Sequence, residues 1–140
     1  MTALASRHDR SGRRAGVAAT ALVGAGLSLA ALTAHGEVVD IVWKEGERFD
    51  RTLTVAPGKF AELCGALSAG KTVNWSFEAD GELNFNIHYH VGKDVHYPSQ
   101  MGQVRRSEGK LAVDLAQDYC WMWTNKSAAT TKLEVRLILK

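Results

Sequence analysis

Residues 83–91 read Leu-Asn-Phe-Asn-Ile-His-Tyr-His-Val, and this stretch decides the fold class. Its apolar side chains occupy every second position, and Asn or His occupies the positions between them. The final segment repeats the pattern, with Leu at 133, 137 and 139 and Val at 135. A two-residue period is typical of β-strands that bury one face. Both stretches are therefore predicted to be half-buried strands.

The same alternation recurs along the chain after residue 36, and helical periodicity is nearly absent. The predicted strands are 38–43, 49–55, 60–64, 72–78, 83–91, 95–98, 110–115, 119–125 and 132–139. Turn residues between them are Pro57-Gly58, Asp80-Gly81, Gly92-Lys93-Asp94 and Gln117-Asp118. Arg105-Arg106 is interpreted as a solvated loop, and Trp121 and Trp123 as core residues. Short strands at this spacing predict an all-β fold, an antiparallel β-sandwich of about eight strands.

The first 34 residues have the pattern of a secretory signal peptide. The charged side chains there are Arg7, Arg10, Arg13, Arg14 and Asp9, and residues 15–34 carry no charge. A basic segment followed by an apolar segment and small residues predicts cleavage, after Ala34 or Gly36. The alternative is an uncleaved membrane anchor, which the high Ala and Gly content disfavours. The adjacent Arg13-Arg14 leaves general and twin-arginine export both open.

Cleavage would change the charge of the working protein. The chain has 17 Lys plus Arg and 15 Asp plus Glu, and residues 1–34 hold four of the former and one of the latter. The remaining 13 basic and 14 acidic residues provide no basic stripe of the kind that nucleic-acid binding requires. Residues 35–140 suit one domain, which we expect to be periplasmic or secreted.

Export also determines how the two cysteines are interpreted. In an oxidising compartment two cysteines usually pair, so Cys64 and Cys120 are predicted to form a disulfide. The alternative is a thiolate metal site that includes Met122, which lies two residues from Cys120 and therefore on the same strand face. The oxidising compartment disfavours that alternative.

The order of several short motifs resembles the Golgi-dynamics (GOLD) domain. They are Cys64 ahead of Gly-Lys-Thr-Val at 70–73, Trp-Ser-Phe-Glu at 75–78, Leu-Asn-Phe-Asn-Ile at 83–87, Ser-Glu-Gly-Lys at 107–110 and Tyr-Cys-Trp-Met-Trp-Thr-Asn at 119–125. The resemblance covers residues 49–139 and rests on spacing and hydrophobic pattern. It implies a β-sandwich that acts as a non-catalytic binding or interaction module. In the cargo-receptor branch of that family, a Cys before the early strand pairs with a Cys in the strand that ends in Asn. Cys64 and Cys120 lie near those places, and the resemblance therefore implies the same disulfide. Cys120 comes about two residues earlier than in the family pattern, which keeps it on the same strand face.

Three histidines are concentrated in residues 88–97. A three-residue turn at 92–94 would place Val91 opposite Val95 and would bring His88, His90 and His96 to one outward face. Imidazoles so arranged can bind Cu(II) or Zn(II), and copper is the first metal to test. The candidates for a fourth ligand are Met101, Asn86 and Asp94. His35 is a further copper ligand only if cleavage makes it N-terminal.

The histidine face has other interpretations, which stay open. Its side chains can simply be solvated, or they can recognise a protein or a glycan. No nucleophile elbow, HExxH helix, phosphate-binding loop or dinucleotide fingerprint is present, so the chain is predicted not to be an enzyme. The expected function is an exported β-sandwich binding module, and the alternative is a periplasmic copper or zinc protein. Contact with a membrane is expected only if the N-terminal segment is retained.

Overall fold

A computed structural model describes residues 36–44, 46 and 48–140. The signal-peptide prediction, with Ala34 and His35, lies outside these residues. The strands are β1 Glu37–Asp40, β2 Arg48–Val55, β3 Phe60–Leu67, β4 Thr72–Val91, β5 Asp94–Ala112, β6 Gln117–Thr124 and β7 Thr131–Leu139. The described residues form no helix, which confirms the all-β prediction. Nothing in this part of the chain is a helix that could cross a membrane.

The strands form one curved sheet in the order β1-β3-β6-β4-β7-β2, and β5 pairs with the free edge of β4. Strands β1 and β3 are parallel, and the other pairs are antiparallel. Strand β4 pairs with β7 through residues 73–79 and with β6 through residues 84–88. The first part of β4 thus belongs to the half of the sheet with β7 and β2, and the second part to the half with β6, β3 and β1. Because one strand belongs to both halves, the sheet folds back on itself and nearly closes into a barrel.

Two pairs of predicted strands are merged, so the described residues contain seven strands rather than about eight. Asp80-Gly81 lies inside β4, where the register with β5 shifts between Glu78 and Leu83. Asp80 Oδ1 accepts a hydrogen bond of 2.8 Å from Lys132 N of β7. Arg105-Arg106 lies within β5, not in a loop. A bulge and a turn both require polar or glycine residues, so local sequence does not distinguish them.

Aromatic rings fill the space between the two halves of the sheet. Phe77 and Phe85 lie 4.8 Å apart between ring centroids, and Trp123 lies 5.6 and 5.4 Å from them. Aromatic pairs at such distances add about 0.5–1.5 kcal/mol each beyond the burial of their surface. Trp121 and Trp123 are fully buried, which confirms their predicted place in the core.

Candidate functional site

The outer face of β3, β6 and the second half of β4 carries the candidate site. Cys64 of β3 lies opposite Cys120 of β6, and the two form the predicted disulfide. The carbonyl of Cys64 accepts a 2.7 Å hydrogen bond from Ile41 N, which directs its backbone polar groups away from β6. The cysteines are thus a non-hydrogen-bonded pair, the kind in which antiparallel strands approach most closely. A disulfide at this position fits an exported protein.

His88 lies beside Cys120 and is almost buried, with 8% of its surface exposed. Its Nδ1 is 2.8 Å from Asn86 Oδ1, and its Nε2 is 3.1 Å from Glu62 Oε1. Both oxygens are acceptors, so each of them can accept a hydrogen bond from a ring N–H of His88. His88 is therefore part of an Asn86–His88–Glu62 chain and is not a solvated surface histidine.

The predicted register of the hairpin between β4 and β5 is wrong. A two-residue turn, Gly92-Lys93, joins the strands, so His96 lies opposite Tyr89 and not opposite His90, which pairs with Val95. Gly92 has φ 60°, as a two-residue hairpin turn requires. The prediction relied on hydrophobic pairing of Val91 with Val95 across the strands, but both side chains are exposed.

This register separates the three histidines that the sequence grouped. His88 and His90 are neighbours, with ring centroids 5.4 Å apart. His96 instead stacks on Tyr89, with ring centroids 5.0 Å apart. Tyr97 lies on the outward face that was predicted for His96, 6.0 Å from His88. The structure therefore brings together two of the three predicted metal ligands.

The proposed fourth ligands are dispersed or already hydrogen-bonded. Asn86 contacts His88, and the Met101 sulfur lies 3.4 Å from the hydroxyl of Ser107, which donates to it. Asp94 pairs with Val91 at the turn. Sequence reasoning missed Glu62, whose position between buried Ala61 and Leu63 places it on the outer face. Its proximity to His88 follows only once the order of the strands is known.

The tip of the β4–β5 hairpin exposes large apolar side chains. Val95 and Tyr97 are 39% and 52% exposed and share one face of the hairpin with His90, whereas Val91, 41% exposed, pairs with Asp94 and lies on the other face. We call His90, Val95 and Tyr97 the hairpin-tip surface. Clustered exposed apolar groups are typical of sites that contact another molecule.

A second surface, which we call the charged groove, lies across β2, β7, the first half of β4 and the end of β5. It encloses about 700 Å³. Its charged side chains are Arg48, Arg51, Arg106, Arg136, Asp50, Glu78, Glu108 and Glu134. Four positive and four negative groups balance, so the groove provides no single-sign field for an ionic ligand.

Asp50 is the most strongly engaged acid of the charged groove. Its two oxygens accept hydrogen bonds of 2.6 Å from Arg48 Nε and 3.2 Å from Arg136 Nε. Slight burial raises the pKa of Asp50, but the hydrogen bonds and charges of the two arginines outweigh it. The pKa therefore lies below its ordinary value.

Comparison with known proteins identifies structural relatives only. No protein-family model matches the chain, and no curated protein matches its sequence. Its structure is similar to PliG, a periplasmic inhibitor of g-type lysozyme, from Aeromonas hydrophila, with a TM-score of 0.57, 12% identity and coverage of 76% of this chain and 98% of that one. PliG of Salmonella Typhimurium gives 0.55 at 14% identity, covering 75% and 99%. The Yersinia pseudotuberculosis-derived mitogen gives 0.53 at 10% identity, covering 66% and 86%. At such identities the similarity establishes the fold alone.

Proposed function

We propose that this chain is an exported, non-catalytic module that binds a protein, and that a g-type lysozyme is the partner to test first. One observation supports this most strongly: three solved periplasmic inhibitors of g-type lysozyme share the fold over almost their whole length. The Cys64–Cys120 disulfide suits the periplasm as the compartment.

The hairpin-tip surface is the proposed contact with the partner. Tyrosine is enriched in protein interfaces, whose buried centres are more apolar than the rest of the surface, and a tyrosine ring loses little conformational entropy on binding. Tyr97 is the largest exposed side chain of this surface. The hairpin has a two-residue turn, and its strand β4 pairs with the disulfide-linked β6 through residues 84–88, which holds these groups in a fixed arrangement and lowers the entropic cost of binding.

Lysis of cell-wall substrate by purified g-type lysozyme tests the proposal, with the exported protein added in increasing amounts. We expect dose-dependent inhibition and complex formation by calorimetry. Tyr97→Ala should weaken both at least tenfold, as expected for an interface anchor. Val42→Ala is the matched control, because Val42 is 77% exposed but lies outside the hairpin-tip surface. Absence of both inhibition and complex formation would reject g-type lysozyme as the partner.

Kinship with the GOLD family is a separate proposal about ancestry. It is supported by the motif order across residues 49–139 and agrees with a binding role. Superposition of this fold on solved GOLD domains tests it: equivalent strands must carry the motifs at 75–78, 83–87 and 119–125. A different strand order at those motifs would reject kinship without affecting the proposed partner.

Copper or zinc binding is the second candidate function, and the proximity of His88 and His90 favours it. It ranks second because both ring nitrogens of His88 are engaged, so a metal must displace Asn86 or Glu62. Thermal unfolding with added Cu(II) or Zn(II) tests it. A stabilising shift that His88→Ala and His90→Ala abolish and His96→Ala retains would support metal binding, and an unchanged midpoint in the wild type would reject it.

A further inference from the structure

We propose that reduction of the Cys64–Cys120 disulfide creates a site for a thiophilic divalent metal, with both thiolates and the Glu62 carboxylate as ligands. The sulfur atoms and a carboxylate oxygen of these residues all lie within 4.8 Å of one another. Cys120 is buried, and Cys64 and Glu62 are half-buried. None of these three ligands belongs to the metal site predicted from the sequence, which consisted of His88, His90 and His96.

Ligand chemistry selects the metal class. Two thiolates and one carboxylate suit Zn²⁺, with bonds of about 2.3 Å to sulfur and about 2.0–2.2 Å to oxygen. Tetrahedral bonds of that length separate the two sulfurs by about 3.8 Å. Opposite residues of a closely spaced antiparallel pair can reach this separation by side-chain rotation. Three protein ligands leave the fourth position for water or another small ligand.

His88 acts in this site as a positioning residue. Its Nε2 contacts Oε1 of Glu62, and its other ring nitrogen is held by Asn86, which fixes the imidazole and leaves the second carboxylate oxygen for the metal. Groups that hydrogen-bond a ligand in this way orient it and typically raise metal affinity about 10–100-fold.

A dithiol reductant delivers two electrons and two protons to the disulfide, which yields the Cys64 and Cys120 thiols and leaves the reductant as a disulfide. Metal binding then forms two metal–sulfur bonds and one metal–oxygen bond and releases the two thiol protons. Because the metal binds only the reduced form through sulfur, it shifts the redox equilibrium toward that form.

Cobalt(II) is the probe for this site, because thiolate coordination gives it charge-transfer absorption. The exported protein is reduced anaerobically with a phosphine, and Co(II) is titrated into reduced and oxidised samples. We expect the thiolate band to saturate at one Co(II) per chain in the reduced sample, to be absent from the oxidised sample and to disappear on addition of Zn²⁺. Tryptophan fluorescence reports whether the reduced protein stays folded.

Matched variants separate ligands from neighbours. Glu62→Gln should weaken Co(II) binding at least tenfold, and His88→Ala about tenfold while the thiolate band remains. Glu78→Gln and His90→Ala are the controls and should bind as the wild type does. Reduced protein that unfolds, or that shows no thiolate band at one equivalent, overturns the proposal. Unchanged affinity in Glu62→Gln overturns it as well.

Discussion

Asn125 is a single side chain that joins two loops at one end of the sheet. It is fully buried, and its Nδ2 donates to the carbonyls of Val55 and Ala129 at 2.9 and 2.7 Å. Its Oδ1 accepts from the backbone N–H and the hydroxyl of Ser127, both at 2.8 Å. Its backbone also bonds the turn after β2, where Gly58 N donates to its carbonyl. The amide thus satisfies the buried Val55 carbonyl and ties it to the exposed loop that carries Ser127 and Ala129.

Asn125→Ala should therefore lower the free energy of unfolding by about 2 kcal/mol, because it leaves the buried Val55 carbonyl without its side-chain partner. Urea denaturation measures the change. Asn74→Ala is the matched control: Asn74 is only half-buried in β4, and we expect a loss below about 1 kcal/mol. Equal losses in the two variants would contradict the role assigned to Asn125.

The lowered pKa of Asp50 predicts a small loss of stability at acidic pH. Its pKa is lower in the folded state than in the unfolded state, so the Arg48 and Arg136 contacts stabilise the fold above the unfolded pKa, about 4. This contribution is lost as pH falls through the folded pKa. Asp50 and both arginines are exposed, so the loss of stability should be small and should become smaller still in salt.

The measurement is the urea midpoint of wild type and Asp50→Asn between about pH 2 and 6. The wild type should be the more stable protein at the upper end, and the two curves should converge as the pH falls. Asp118→Asn, which changes an exposed acid of β6, should run parallel to the wild type. A gap between wild type and Asp50→Asn that widens toward low pH would contradict the assignment.

Gly109 shows how β4 and β5 approach each other. It lies directly opposite Trp75, and a Cβ placed on it would meet the Trp75 ring at 2.5 Å. Gly109→Ala should therefore force the indole from its place and destabilise the fold by about 1–3 kcal/mol. Gly102→Ala, also in β5, is the control, because its nearest neighbour would be 3.8 Å away. Thermal and urea unfolding compare the two, and a Gly109→Ala protein as stable as Gly102→Ala would refute the contact.

The disulfide links β3 to β6 across 56 residues of chain. Removing it in the double variant Cys64→Ala/Cys120→Ala should lower the free energy of unfolding by about 4 kcal/mol, since the unfolded chain regains the entropy of an open loop. Urea denaturation should give a similar loss for the wild type in reductant. Reductant should not affect the double variant. A double variant as stable as the oxidised wild type would contradict this prediction.

Element by element, the sequence predicted which residues are buried better than where strands end. The alternation at 133–139 identified the buried face of β7, with Leu133, Val135 and Leu137 in the core. It could not identify β4 as one 20-residue strand, because the bend at Asp80-Gly81 uses the residues of a turn. The prediction of where His96 lies was wrong for a related reason. Val91 and Val95 are both exposed, so no burial of apolar side chains fixes the register at the tip of the hairpin.

At the scale of the whole molecule, the all-β fold class could be predicted from the sequence, but the order of the strands in the sheet could not. Alternation is a local signal, whereas the pairing of β1 with β3 in parallel, or of β2 with β7, joins segments distant in sequence. The same limit explains why the candidate site was only partly foreseen. Cys64 and Cys120 could be paired by compartment, but the contact between Glu62 and His88 depends on which strands are neighbours.

The shared strands also predict how the molecule unfolds. β4 contributes residues 73–79 to one half of the sheet and 84–88 to the other, and β5 accompanies it through both. Neither half can then lose its central strand while the other stays intact, so residues 36–140 should unfold in a single transition. Circular dichroism of the backbone and fluorescence of the buried Trp121 and Trp123 should give coincident urea curves. Separated midpoints would mean that the two halves are independent, and β4 would then not be the element that couples them.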